Sequence, residues 1–207
     1  MTKPLPLLLG AALLLAGCYP DQPEDIRDFD LTYTNHSPDF DFKAAQTYAL
    51  PDSVIIISGS LAEGEAPEMV QALYGDQIVA RIRANMNANG WTEINVADTP
   101  DVVVLPAAVR TENIDVYYYW GGYWGWYYPW YGFGWYYPGY YPQYSAYTTG
   151  SLIIQMTVPG ETSATGNNPV MWIAVFNGLL EGSTAGIADR VVSGIDQAFE
   201  QSPYLKH

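Results

Sequence analysis

Val102-Val103-Val104-Leu105-Pro106-Ala107-Ala108-Val109 is the stretch that decides the fold. It is continuously apolar and lies between Asp101 and Arg110. A short run of this kind, half of it valine, reads as a central strand. Pro106 cannot donate to a sheet ladder, so a bulge or a strand end is expected there. Upstream, Pro67 suits the first position of a helix, and Glu68 suits its positive N-terminal end. Val70, Leu73, Tyr74, Ile78, Val79, Ile82 and Met86 then recur at helical spacing. Asn89-Gly90 ends the pattern, with Gly90 supplying a left-handed C′ residue. These signals predict one amphipathic helix over Glu68–Asn89, in which Gly75 costs up to about 1 kcal/mol relative to alanine.

Downstream, Leu152–Val158 and Val170–Leu180 read as two more strands. The Gly/Thr/Asn-rich stretch between them predicts an antiparallel hairpin. Ile187, Val191, Ile195 and Phe199 repeat every fourth residue, which gives a second amphipathic helix halted at Ser202-Pro203. On the N-terminal side, Asp28–Thr34 alternates polar and apolar side chains as a half-buried strand does. Asn35-His36-Ser37-Pro38 is turn chemistry. Thr47–Leu50 and the β-branched Val54–Ile57 are further short strands. A helix between Val54–Ile57 and Val102–Val109 leaves room for one parallel pair. The expectation is a single α+β domain over residues 28–207. Its sheet is mostly antiparallel, with two helices on one face burying their stripes.

Tyr117–Tyr147 fits neither period. Its 31 residues contain thirteen Tyr, five Trp, one Phe, six Gly and three Pro, and no charge. Nineteen of the chain's 31 aromatic residues are here. It does not read as a membrane span, because the hydroxyls and prolines would need partners in lipid. Each ring can bury roughly 150–250 Å², whereas the largest apolar patch on a monomer is usually about 300–600 Å². The rings must therefore pack on themselves, cover the sheet, meet a partner, touch headgroups or stack on sugars. Trp120, Trp124, Trp126, Trp130 and Trp135 are the candidate contact surface, since Trp and Tyr dominate interface hot spots.

The first residues read as an address. Lys3 gives a positive start, and Leu5–Leu15 is an apolar run broken by Pro6 and Gly10. That run is shorter than the roughly 20 residues a bilayer span needs, so residues 1–17 are expected to be a signal peptide. Leu15-Ala16-Gly17-Cys18 resembles the bacterial lipobox, and Cys18 is the only cysteine. The resemblance implies cleavage before Cys18 and acylation of its thiol and new amine. Loss of Lys3 would take the net charge from −14 to −15. Tyr19 rather than aspartate follows the cysteine, which leans toward the outer membrane. Residues 18–27 form an acidic tether to the domain. Acidic runs of this kind also occur in surface-export signals, so display on either side of that membrane stays open.

Composition narrows the chemistry. Eight scattered basic residues against 22 acidic ones argue against a nucleic-acid partner, which needs clustered Lys and Arg. With two histidines, His36 and His207, and one cysteine, the sequence supports no catalytic triad, no Cys/His metal site and no disulfide. Asp28-Phe29-Asp30 and Asp39-Phe40-Asp41 offer oxygen ligands, but no cation-binding loop follows them. They read as solvated strand faces. Paired carboxylates can also hydrolyse glycosides, which leaves a hydrolase as an outlying alternative. No cofactor, metal or catalytic residue is expected.

Several phrases together resemble one family. They are Cys18-Tyr19-Pro20, Asp28-Phe29-Asp30 with Tyr33-Thr34, Phe42, and Thr47-Tyr48-Ala49-Leu50-Pro51-Asp52-Ser53-Val54. Asn85-Met86-Asn87 with Gly90-Trp91 follows, then Asp101-Val102-Val103-Val104, the aromatic tract, Gly150-Ser151-Leu152 and Trp172. In this order they are similar to a bacterial lipoprotein family of Bacteroidetes character, domain of unknown function 4136. The resemblance spans Cys18 to about Tyr204. It implies a lipid anchor and an envelope location, and it brings no activity and no catalytic residues. The functional expectation is an outer-membrane lipoprotein that works by contact with an envelope protein. A glycan- or peptidoglycan-binding module is the first alternative.

Overall fold

The computed structural model describes residues 31–58, 66–110, 135–136, 150–160, 168–177 and 184–207. In chain order its strands are β1 (Leu31–His36), β2 (Thr47–Ala49), β3 (Ile55–Ile57), β4 (Glu68–Met69), β5 (Thr92–Glu93), β6 (Val102–Val109), β7 (Trp135–Tyr136), β8 (Ser151–Thr157) and β9 (Asn168–Asn177). The helices are α1 (Ala72–Ala88) and α2 (Thr184–Glu200). All eight residues of β6 are buried, as the opening stretch requires of a central strand.

The fold is α+β around a mixed sheet of order β1-β9-β8-β6-β2-β5, with β3 also beside β6. The expected antiparallel character holds for β1, β9, β8 and β6. Beyond β6 the sheet turns parallel, with β2 and β3 both running along β6 and β5 along β2. The parallel share exceeds the one pair expected. The reason is the crossover through α1, which returns the chain in the direction it left.

Pro106 makes neither a bulge nor a strand end, and pairs in register with Ile154 of β8. Alternation explains how. The Arg110 N–H donates to the Ile57 carbonyl at 2.9 Å, so the backbone nitrogens of residues 108 and 106 face that same edge. On it, β2 pairs only as far as Val103 and β3 begins at Ala107. The missing donor falls in the gap between them. The irregularity lies instead on β9, where Thr157 pairs Val170 and Met156 pairs Trp172, leaving Met171 as the extra residue.

The first helix starts at Ala72, not Glu68. Glu68 and Met69 pair with Ile56 and Ile55, and the Val70 N–H donates to the Val54 carbonyl at 2.8 Å. Pairing with β3 overrides the local Pro-Glu signal. As a result Leu73, expected on the buried stripe, is 67% exposed. Ile78, Val79, Ile82 and Met86 are buried as expected. Gly90 has φ +94°, and an alanine Cβ there would stand 2.9 Å from Cβ of His207. Asn35 and His36, expected in a turn, extend β1, because β9 continues to pair them through Ile173 and Trp172. The chain turns only after Ser37, whose N–H donates to the Met171 carbonyl at 2.8 Å.

Both faces of the sheet are buried. Val102, Val104, Leu152, Ile154, Met156, Trp172, Ala174 and Phe176 meet the apolar faces of α1 and α2, including Ile82, Ile187, Val191, Ile195 and Phe199. Arg81 on α1 grips Asp196 on α2 through two guanidinium nitrogens, and Asn85 Nδ2 donates to the same carboxylate at 2.8 Å. Val103, Leu105, Val109, Ile153, Ile173 and Val175 point to the opposite face. Among the described residues no helix is long and apolar enough to cross a membrane.

Candidate functional site

Two places emerge from this architecture. The first runs along the short parallel strand β2, from its start to its end. Thr47 opens β2 beside Asp101, which precedes β6. The Asp101 carboxylate accepts from the backbone N–H groups of Gln46 and Thr47 and from the Thr47 hydroxyl at 2.7–2.9 Å, and the Asp101 N–H donates back to Thr47 Oγ1 at 2.9 Å. This clip fixes the parallel register of two segments 54 residues apart. The backbone donor of Gln46, with Thr47, holds the Asp101 carboxyl below its ordinary range.

The next residue, Tyr48, is buried, and its hydroxyl lies 3.1 Å from Asn87 Oδ1 and 3.3 Å from Glu93 Oε2. Burial and then the Glu93 charge push that phenol well above its usual value. Arg83 on α1 spans the Glu93 carboxylate at 2.7 and 3.0 Å and reaches Asp52 at 3.4 Å. Ala49, Leu50, Asp52, Glu93, Ile94, Asn95 and Val96 line a cleft of about 330 Å³ here. It sits outside the carboxyl ends of β2 and β5, where ligands of open parallel sheets bind. Asp52 and Glu93 are thus brought to one cleft, but both lie on the same guanidinium.

Of the two acidic pairs read as solvated strand faces, Asp39-Phe40-Asp41 lies outside any strand. Asp28 and Asp30 lie outside the described residues. Asp41 Oδ1 accepts from the backbone N–H groups of Lys43 and Ala44 at 3.0 and 3.3 Å, closing a turn. Among the described residues no group of three or more His, Cys, Asp or Glu is placed to hold a metal ion. His36 packs among aromatic rings. Its ring stacks on Tyr204 at 3.8 Å and meets Phe42 edge-on, and burial lowers its pKa.

These shifts fix a pH dependence. His36 binds its proton less readily when folded, so stability is expected to fall as pH drops below about 6.5. Asp101 and Asp196 also have lowered values, so their contribution is present above 3.8 and is lost further into acid. In Asp196, burial opposes the shift, and Arg81 and Asn85 outweigh it. Urea midpoints measured against pH should show both stages. His36→Gln should remove the upper stage, and Asp101→Asn should weaken the lower one. Midpoints flat from pH 7 to 5 would contradict the role of His36.

The second place is where the aromatic tract leaves and rejoins the sheet. It departs after β6 and returns at β8, and these neighbours remain paired up to Val109 and Ser151. The Gly150 N–H still donates to the Val109 carbonyl at 2.9 Å. The tract is therefore an excursion from an intact antiparallel ladder. Within it the backbone of Trp135–Tyr136 forms β7, parallel to Asn168–Pro169 of β9. The other predicted contact residues, Trp120, Trp124, Trp126 and Trp130, lie outside the described residues, as do Cys18 and the segments read as leader and tether. Trp91 and Trp172, outside the tract, belong to the helix-side core.

Sequence reasoning missed Arg83, Asn87 and Glu93 as a group. The signals available were Tyr48 and Asn87 inside phrases that carried the family resemblance. Glu93 had none, because a two-residue edge strand has no period.

A mixed sheet carrying two helices on one face, with a long aromatic excursion between central strands, defines an α+β domain without a metal cluster among its described residues. The family model "Domain of unknown function (DUF4136)" matches residues 32–204, and the chain belongs to that family. It is similar to the crystal structure of a DUF4136 family protein from Bacteroides thetaiotaomicron, with 29% identity and a TM-score of 0.66 over 86% of this chain and 97% of that one. A PelC dodecamer from Paraburkholderia phytofirmans shares 12% identity at TM-score 0.41, over 86% of this chain and 98% of that one. A PDZ domain protein from Parabacteroides distasonis shares 14% at 0.42, over 86% of this chain and 37% of that one. Likeness at those two TM-scores carries nothing further. Among curated proteins, none matches the chain.

Proposed function

We propose that this protein is a lipid-anchored outer-membrane lipoprotein that acts by contact rather than by bond-breaking, with its aromatic tract as the contact surface. The observation that carries the reading is the excursion itself. An uncharged tract of 31 residues, nineteen of them aromatic, is inserted into a ladder whose pairing it does not interrupt. The sheet needs no residue of it for its own hydrogen bonds between β6 and β8. Selection of rings over ordinary loop residues at that point is accounted for by something they touch. The lipobox-like Leu15-Ala16-Gly17-Cys18 supplies the anchor, and the acidic tether holds the domain off anionic headgroups.

The test uses p-benzoylphenylalanine in place of Trp120, Trp124, Trp126, Trp130 and Trp135, one at a time, in living cells. Irradiation is expected to join at least one position to another envelope protein. An adduct with glycan alone would transfer the surface to the sugar-binding alternative. Adducts no more abundant or specific than those from the same probe at exposed Asp76 on α1 would overturn the reading.

A further inference from the structure

Strand β1 ends the sheet on one side, and among the described residues it pairs with β9 alone. Two donors fix its hydrogen-bonding directions. The Ser37 N–H points inward, to the Met171 carbonyl at 2.8 Å, whereas the His36 N–H donates to its neighbour's side chain, Asn35 Oδ1, at 2.8 Å. Alternation carries that division back along the strand. Leu31, Tyr33 and Asn35 bond β9, and Thr32 and Thr34 turn their N–H and C=O groups to the outer edge. We propose that this edge is a docking site for an extended segment of another protein, with an uncharged, β-branched centre and Lys or Arg at its ends, which adds to the sheet as a further strand.

Sheets usually blunt an open edge with a very short strand, a lysine, a proline or a bulge. This fold does so elsewhere. The other strands with a single partner, β4, β5 and β7, are two residues long each. In contrast β1 runs for six residues, Leu31-Thr32-Tyr33-Thr34-Asn35-His36, with no lysine, no proline and an unbroken register against β9. Threonine and tyrosine are strand formers. Leu31 is 56% exposed, and the Asn35 side chain covers only the last of the outward donors. An edge of this length and composition offers the main-chain bonds by which an added strand is held.

Charge selects the occupant. Asp28 and Asp30 precede the strand in the sequence, and exposed Asp39 and Asp41 follow it, in a chain of net charge −14. A second copy paired antiparallel through β1 would bring the acidic end of one strand to the acidic end of the other, and like charges across a strand pair destabilise it. Acid at both ends thus opposes self-pairing, as lysine does at other edges. The same carboxylates attract a segment with basic ends. The site uses no residue of the aromatic tract, so it stands or falls apart from the function proposed above.

Binding of fluorescent peptides to the detergent-purified protein tests this. The first peptide has a core of alternating Thr and Val with two lysines at each end. A second has glutamates in place of the lysines. A third keeps the lysines and is N-methylated at alternate core residues, which removes ladder donors without changing charge. Thr34→Pro makes the matching change in the protein, because it removes an outward N–H and leaves the ladder to β9 intact. The lysine peptide is expected to bind the wild type, and to bind Thr34→Pro about tenfold more weakly as ladder bonds are lost. The glutamate and N-methylated peptides should bind the wild type more weakly by at least the same factor. No binding of the lysine peptide, undiminished binding of either other peptide, or full binding to Thr34→Pro would overturn the proposal. So would self-association of the wild type that Thr34→Pro abolishes, since the occupant would then be a second copy. If a lowered urea midpoint shows that Thr34→Pro unsettles the fold, the N-methylated peptide decides on the wild type alone.

Discussion

Trp172→Ala is expected to destabilise the domain by about 3–5 kcal/mol, the usual cost of emptying a large aromatic site in a core. Trp172 is 0% exposed, in the middle of β9, between β1 and β8. Its ring packs against Phe199 of α2 at a centroid distance of 5.4 Å. Its indole N–H donates to Ser202 Oγ at 2.9 Å, tying the sheet to the turn that ends α2. The substitution removes ring volume, the helix contact and that bond together. Against a typical domain stability of about 5–15 kcal/mol, the loss shows directly in a urea titration. Ser202→Ala removes the acceptor of this bond and of the Tyr204 hydroxyl at 3.1 Å, and is expected to cost about 1–3 kcal/mol, the penalty for a buried donor left unpaired. A Trp172→Ala loss below about 1 kcal/mol would mean that the site collapses around the void, and that α2 is not seated on β9 as described.

Cys18→Ser is expected to have the largest effect in the cell. A single acyl chain holds a protein only marginally, whereas two or more hold it stably, at about 0.8 kcal/mol per buried methylene. Serine offers no thiol for the first transfer, so the chain should leave the membrane fraction completely or persist as the uncleaved precursor. Mass spectrometry of the wild-type mature protein should find Cys18 at the N-terminus bearing acyl groups. An unmodified thiol there, or protein of mature size still in the membrane fraction after Cys18→Ser, would remove the anchor from the proposed function.

Most strands and both helices were legible in the sequence because each carries its own signal. β6 and β8 are apolar runs, α2 repeats an apolar residue every fourth position, and Gly90 marks the end of α1 with a conformation other residues adopt at a cost. Glu68–Met69 was illegible for a physical reason. A two-residue strand has no period, and only Ile55 and Ile56 decide that it pairs rather than starting a helix. The same holds for Thr92–Glu93 and Trp135–Tyr136, whose pairing depends on Thr47–Tyr48 and Asn168–Pro169.

The candidate cleft was less legible still. Tyr48, Asp52, Arg83, Asn87 and Glu93 sit on four different segments, and none stands out by residue type in an acidic chain. The C-terminal turn shows the same limit. Trp91 Nε1 donates to the Leu205 carbonyl at 2.7 Å across 114 positions, and the His207 N–H donates to the Asn89 carbonyl at 2.8 Å. No local pattern announces bonds of that span.

The sequence by itself determined the α+β class, the buried identity of β6, the stripes of the helices and the uncharged aromatic character of the tract. Hydrophobic periodicity and composition are properties of neighbours in the chain, and they survive without coordinates. Only the tertiary structure decided that half the sheet runs parallel, that Pro106 lies unbroken inside its central strand, and that Asp52 and Glu93 share one arginine. Each of these depends on which distant backbone or side chain stands opposite. Strand direction and hydrogen-bond pairing are fixed by that neighbour, and it is chosen by the packing of the whole domain.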